Sequence, residues 1–450
     1  MTETASRQLH LTVNLTGSAR LPGGWRLQED PELFVQFDFY NAIAQLAERG
    51  HFDAVFLPDP LALSGLPPTD PPQALDNIVL LGALAPVTTH VGLVATVSTT
   101  FNDPFSLARR ISTLDHVSGG RAAINAVTTY SPQAAANFGG HPHPPHDVRY
   151  ARAEEFIDVL FALWDSWEDG AIVGDRERAV FADAARIHTI DHSGEHFSVR
   201  GPGLVPRSPQ GRPVLVQSGS SESGRALAGR VADVVFTFQE TLSGAQQFYR
   251  DLKTRARRHG RSPDEIVVLP LLYPIVGATE AEARARKNEL NSVFAIEREA
   301  HQLAGLLGLH PEDLALDREL PYATLEKVNE NFNGSRGFVA ATLELAYANG
   351  YTVRQLLEHN NGFHGQIVGA PEQIADHIES WFTGRAADGF NVNIDVFPGG
   401  LELFVEHVVP ELVRRGIYRR EYSGSTLREH LGLRRPANSF AQVRVAPPSA

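Results

Sequence analysis

The stretch VGLVATVSTTFNDPFSLARR, residues 91 to 110, begins as an unbroken apolar run and ends as a helix. Val91 to Ala95 carry no polar residue, the pattern of a strand covered on both faces in a parallel sheet. Asp103 followed by Pro104 is an N-cap with proline in the first turn, and Leu107, Ile111 and Leu114 form the buried stripe of the helix. Between the two halves stand Thr96, Ser98, Thr99, Thr100 and Asn102. Packing alone does not require so many hydrogen-bonding groups at the end of an apolar strand.

The same unit recurs along the chain. Apolar runs begin at Leu9 (LHLTVNL), Asp53 (DAVFLP), Arg121 (RAAINAV), Pro213 (PVLVQSG), Asp233 (DVVFTF), Ile266 (IVVLPLLYPIV) and Phe390 (FNVNIDVF). Helical stripes lie between them. Leu33, Phe37, Tyr40, Ala44 and Ala47 follow the first run, Ala153, Ile157, Leu160 and Trp164 the fourth, and Leu401, Phe404, Val408 and Leu412 the eighth. Eight strands alternating with helices predict the α/β class and a closed (β/α)8 TIM barrel in preference to an open doubly wound sheet.

One domain is expected over residues 1–433. Long insertions fall at about 168–212 and 277–365, lengths usual for lids or binding loops, and a loosely ordered tail covers 434–450. With 40 basic and 53 acidic side chains the net charge is −13, which argues against a nucleic-acid groove or an anionic membrane as partner. No signal-like start and no run near membrane-spanning length is seen, so a cytoplasmic protein is expected. Cysteine is absent and Met1 is the one methionine, which excludes disulfides and thiolate catalysis.

In a parallel barrel the chemistry sits where the strands end. Those positions offer Asn14, Asp59, Thr96, Ser98, Asn125, Thr128, Thr129, Ser220 and Ser221, a set dominated by neutral donors and acceptors. GSSESG, 219 to 224, lacks dinucleotide-fingerprint spacing but places small residues and hydroxyls at the start of a helix. It reads as a phosphate seat or as an ordinary serine-rich cap. HPHPPHDVRY, 141 to 150, brings His141, His143 and His146 together, but proline keeps the segment extended and no carboxylate completes a metal set. His146 and Tyr150 are instead a pair of donors four residues apart at a helix start. His192 and His196 read as loop residues.

The runs VGLVATVSTTFNDPFSLARRISTLDHVSGGRAAINAVTT (91–129), HDVRYARAEEF (146–156), RPVLVQSGSSESGRALA (212–228), GAPEQIADHIESWFTGRAADGFNVN (369–393) and VVPELVRRGIYRREYSGSTLREHLGL (408–433) resemble a known family. It is that of nitrilotriacetate monooxygenase component A and dibenzothiophene-sulfone monooxygenase, within the bacterial-luciferase-like flavin monooxygenases. The resemblance runs in order from about residue 9 to residue 433. It implies a barrel enzyme that takes reduced FMN (FMNH2) from a separate NAD(P)H:flavin reductase and inserts one atom of O2 into a small organic substrate. It also implies a homo-oligomer.

Carried over by position, Asp59, Thr96, Asn125, His146, Tyr150, Ser220 and Ser221 would contact the flavin, with Thr96 and Asn125 forming the O2 pocket. The chain keeps the Trp25 and Arg26 of the family's stretch after the first strand but has no histidine between His10 and His51, and Pro58 stands where alanine is common. No substrate is therefore carried over. A deazaflavin-dependent dehydrogenase, a metal-dependent hydrolase using the 141–146 histidines and a flavin carrier without turnover are the competing readings.

Overall fold

The computed structural model describes residues 7–17, 19, 21–63, 68, 70–73, 75–139, 143–322, 325, 336–360 and 365–441. All eight expected strands are present: β1 His10–Asn14, β2 Ala54–Leu57, β3 Gly92–Ser98, β4 Ala122–Val127, β5 Val214–Ser218, β6 Val234–Thr237, β7 Val267–Val276 and β8 Gly389–Asn393. They pair in parallel in the order β6-β5-β4-β3-β2-β1-β8-β7, and β7 pairs back onto β6, so the sheet closes into a barrel.

Alternation along each strand sorts the side chains into two cores. Ala54, Phe56, Val94, Ala123, Val214, Val216, Val234, Phe236, Val267 and Leu269 fill the lumen, with Leu427, Leu431 and Leu433 packed against them. Phe56 meets Phe236 edge to face there, ring centroids 4.9 Å apart, so these two rings are core packing. The opposite parity, including Leu93, Ala95, Ile124, Leu215, Phe390 and Val392, packs beneath the surrounding helices. Continued upward, the lumen parity of β3, β4 and β5 reaches Thr96 and Ser98, Asn125, and Ser218.

The helix Pro104–Val117 starts as expected, with the Asp103 carboxylate accepting from Ser106 N at 2.9 Å. Buried charges hold the other rim. Asp53, fully buried, accepts from Leu11 N at 2.8 Å and pairs with Arg419 and His10.

The two insertions leave from opposite rims. Residues 168–212 follow the C-terminal end of the helix His146–Asp165 and so depart from the N-terminal rim, forming small hairpins at 172–182 and 192–199. They are not placed to close over the strand ends. There His192 bonds Glu155 at 2.9 Å as a loop contact. Residues 277–365 leave from the C-terminal end of β7 and build a satellite core from Leu303, Leu307, Val353, Leu356 and their neighbours. This second insertion reaches the mouth, where Arg298 pairs with Asp70 and Glu344 accepts from Thr241. A short strand, Gln366–Gly369, then extends the sheet beside β7.

The expected loose tail is docked as far as residue 441. Asn438 Nδ2 donates to the Asp165 carbonyl at 2.8 Å, Ser439 N donates to its carboxylate at 2.9 Å, and Phe440 stacks on His188. The reason is that the fully buried Asp165 needs those donors beside Arg207 and Arg212. Residues 442–450 lie outside the described residues.

Candidate active site

Thr96 and Asn125 are cross-strand neighbours in the β3–β4 register. Asn125 Nδ2 donates to Thr96 Oγ1 at 3.3 Å, and Ser218 Oγ donates to Asn125 Oδ1 at 3.0 Å. Thr96 and Asn125 are 6% and 3% exposed, so these polar groups sit inside the lumen and not on a wet rim. Asn77 Nδ2 donates to the Thr96 carbonyl at 2.6 Å and fixes the strand end from outside.

The other hydroxyls of the 96–100 cluster do different work. Thr99 Oγ1 donates to the Val127 carbonyl and Thr100 Oγ1 to the Thr128 carbonyl, while Ser98 Oγ accepts from Thr129 Oγ1 at 2.7 Å. They tie the loops after β3 and β4 together. Thr96 is the member of the group that bonds to Asn125 in the lumen.

Across the seam, Asn14 Nδ2 donates to Asn393 Oδ1 at 3.0 Å, Asn393 Nδ2 to the Asn391 carbonyl and Thr12 Oγ1 to Asn391 Oδ1. Asn14 Oδ1 is buried without a hydrogen-bond partner among the described residues. A buried acceptor in that state costs about 1–3 kcal/mol, which a bound donor would recover. Asn391 and Asn393 were not singled out from the sequence. Their alternation within GFNVN was the available signal.

After β5, Ser221 N-caps the helix Glu222–Val231, its Oγ accepting from Gly224 N at 3.1 Å, and Ser220 Oγ pairs with Thr237 Oγ1 at 3.0 Å. The cap reading is thus correct for Ser221, but each hydroxyl can accept one bond and still donate another. Tyr150 converges on the same point. A Cβ built on Gly219 or Gly224 would stand 3.3 or 3.1 Å from its hydroxyl oxygen. Its ring lies 4.7 Å from that of His146, whose Nδ1 is 2.9 Å from Asp147 Oδ1. Glu222 pairs with Arg225 and Arg255, which draws its charge away from the helix start. Small residues, hydroxyls and first-turn N–H groups at a positive helix end fit a phosphate.

Asp59 lies beyond β2, half-buried, and burial together with the charge of Asp76 pushes its carboxyl up to about 6. The ordinary value is 3.8, so the folded state holds the proton more tightly than the unfolded chain. The ionised form therefore weakens the fold progressively as pH rises from about 4 to about 6, and fully above that. Asp59→Asn is expected to melt at a higher temperature than the parent near neutral pH, by no more than about 2 kcal/mol once solvent screening is allowed for. The gap should close as pH falls toward about 4. Paired thermal melts across that range check it, and a gap independent of pH would refute the assignment.

Beside Pro60 a cavity of about 240 Å3 is lined by Leu21, Trp25, Leu63, Pro71, Gln73 and Gln302. A larger hollow of about 630 Å3, bordered by Glu48, His90 and Tyr422, lies at the opposite rim, so size does not mark the site. His143 stands near Phe101, ring centroids 6.5 Å apart, while His146 faces Tyr150. His141 lies outside the described residues. Among the described residues no group of three or more His, Asp or Glu side chains is placed to hold a metal.

The luciferase-like monooxygenase family model matches residues 22–388. N-acetyl-S-(2-succino)cysteine monooxygenase of Bacillus subtilis is 40% identical over 440 residues, covering 97% of this chain and 99% of that protein. Nitrilotriacetate monooxygenase component A of Aminobacter aminovorans is 42% identical over 454 residues, covering 97% and 99%. Among solved structures, EDTA monooxygenase from Chelativorans sp. BNC1 superposes with a TM-score of 0.79 at 34% identity, covering 96% of this chain and all of that one. With the family model spanning most of the barrel and these relatives matched end to end, the chain belongs to the luciferase-like monooxygenases.

Proposed function

We propose that this flavin-dependent monooxygenase binds reduced FMN across the mouth of its barrel, receives it from a separate NAD(P)H:flavin reductase, and transfers one oxygen atom from O2 to a small organic substrate. The observation that carries the reading is a lumen of neutral hydrogen-bonding side chains, Thr96, Asn125 and Asn14, together with the hydroxyls of Ser220, Ser221 and Tyr150 gathered at the start of the helix after β5. The name component A of one relative supports the separate reductase. The deazaflavin and metal-hydrolase readings are not favoured beside relatives that are monooxygenases end to end.

When bound, the reduced flavin supplies the electrons that activate O2. The chain's own residues do the rest. Tyr150, Ser220, Ser221 and the helix start at Glu222 hold the phosphate, and His146 packs its ring against Tyr150. Thr96 and Asn125 offer donors that are not acids, so they can polarise oxygen without delivering a proton outright. Burial of both groups excludes water, which strengthens those bonds. The 240 Å3 cavity by Trp25 receives the substrate, and its proline, leucine and tryptophan walls suit an apolar or ring-bearing compound.

The test is oxygen consumption by the chain with a flavin reductase, NADH and FMN, under labelled O2, with thioethers, sulfones, aminopolycarboxylates and alkanes as candidates. One labelled oxygen atom in a product is expected. Flavin binding with no labelled product from any candidate class would favour a carrier, and binding of deazaflavin in preference to FMN would favour a dehydrogenase.

A further inference from the structure

From the bonds around Asn125 we infer that Ser218 is a positioning residue that anchors the Asn125 carboxamide in a three-member chain ending on the Thr96 hydroxyl. The inference rests on Thr96 and Asn125 forming the oxygen pocket. Ser218 closes β5 on the lumen parity, and its Oγ donates to Asn125 Oδ1 at 3.0 Å. Asn125 Nδ2 in turn donates to Thr96 Oγ1 at 3.3 Å. Thr96 Oγ1 therefore accepts, and its own proton is left to donate into the lumen.

A carboxamide can be turned over, and the consequence here is chemical. With the amide reversed, its oxygen would face Thr96 and draw the threonine proton onto itself. The lumen would then lose the donor that meets oxygen. A hydroxyl at position 218 is the donor that the productive orientation needs. Without it the amide keeps only its bond to Thr96 in either orientation, so nothing at position 218 holds the productive one against the reversed one. The Thr96 carbonyl is already held by Asn77, so the strand end itself stays in place.

Ser218 lies one residue before Gly219, so effects on the oxygen pocket and on phosphate binding have to be separated. The experiment compares Ser218→Ala, Ser218→Thr and Ser218→Val with Asn125→Leu, in the full chain supplied with reductase, NADH and FMN. Threonine and valine have the same shape and differ only in the hydroxyl. The readouts are the fraction of reduced flavin released as hydrogen peroxide instead of product, and the Kd for reduced FMN. Ser218→Ala and Ser218→Val are expected to raise the peroxide fraction relative to product about tenfold with Kd unchanged, the scale of one hydrogen bond. Ser218→Thr is expected to stay within about twofold of the parent, because the donor is kept.

If Asn125→Leu leaks peroxide while Ser218→Ala and Ser218→Val remain coupled, the donor chain is wrong and the oxygen pocket stands. If Asn125→Leu also remains coupled, the pocket falls and the donor chain with it. A matched rise in Kd for all three Ser218 variants would make the residue part of the phosphate seat and overturn the inference.

Discussion

Asn125→Leu is expected to fold, to bind reduced FMN nearly as the parent does, and to make about a hundredfold less product per flavin oxidised, the scale of losing one preorganised donor to developing negative charge. Leucine has the same number and branching of side-chain heavy atoms as asparagine and is at home in a lumen lined by Ala123, Val94 and Val216, so the barrel has no reason to open. What disappears is the amide between Ser218 and Thr96. The electrons of the reduced flavin still reach O2, but both oxygen atoms then leave as hydrogen peroxide in place of one in product and one in water. Product by mass spectrometry and peroxide by a coupled assay must together account for the NADH consumed. Product yield equal to the parent's would remove Asn125 from the oxygen pocket.

The barrel was legible because strands buried on both faces cannot alternate in polarity. Val91 to Ala95 and Val234 to Phe236 have to be apolar at every position, and such runs are conspicuous in sequence. The candidate site was legible for a related reason. Once the lumen parity passes the last apolar layer, a polar residue on it, such as Thr96 or Asn125, lies buried and so needs a chemical explanation.

What escaped depended on contacts between distant segments. Asn14 and Asn393 meet only because β1 and β8 close the barrel, 379 residues apart in sequence. Ser218 is an ordinary strand-end serine until its distance to Asn125 is known. The strand Gln366–Gly369 is four residues long and partly exposed, too short for any period to emerge. Which rim an insertion occupies follows from whether it interrupts a strand-to-helix or a helix-to-strand connection. That distinction separates 277–365 from 168–212, whose length alone suggests lids or binding loops in both places.

Replacing Ser220 and Ser221 together by alanine is expected to weaken binding of reduced FMN by about 100-fold or more, since hydrogen bonds to a charged group are worth about 1.5–3 kcal/mol each and two are removed. Part of the effect of Ser221 is structural. Its Oγ caps Gly224 N, and losing an N-cap costs about 1 kcal/mol of helix stability. The two contributions separate on the ligand. Riboflavin has the same ring and ribityl chain without the phosphate, so a lost phosphate seat leaves reduced riboflavin binding nearly unchanged, whereas a frayed helix weakens both ligands alike. Tyr150→Phe, which removes the third hydroxyl near Gly219 and Gly224 without touching the cap, is expected to shift FMN and spare riboflavin in the same way. Anaerobic titration of each variant with the two reduced flavins measures the preference directly. If the double variant still prefers FMN over riboflavin as strongly as the parent, the phosphate is held elsewhere on the rim. The flavin would then have to enter the lumen from another side, and Thr96 and Asn125 would no longer lie on its path to oxygen.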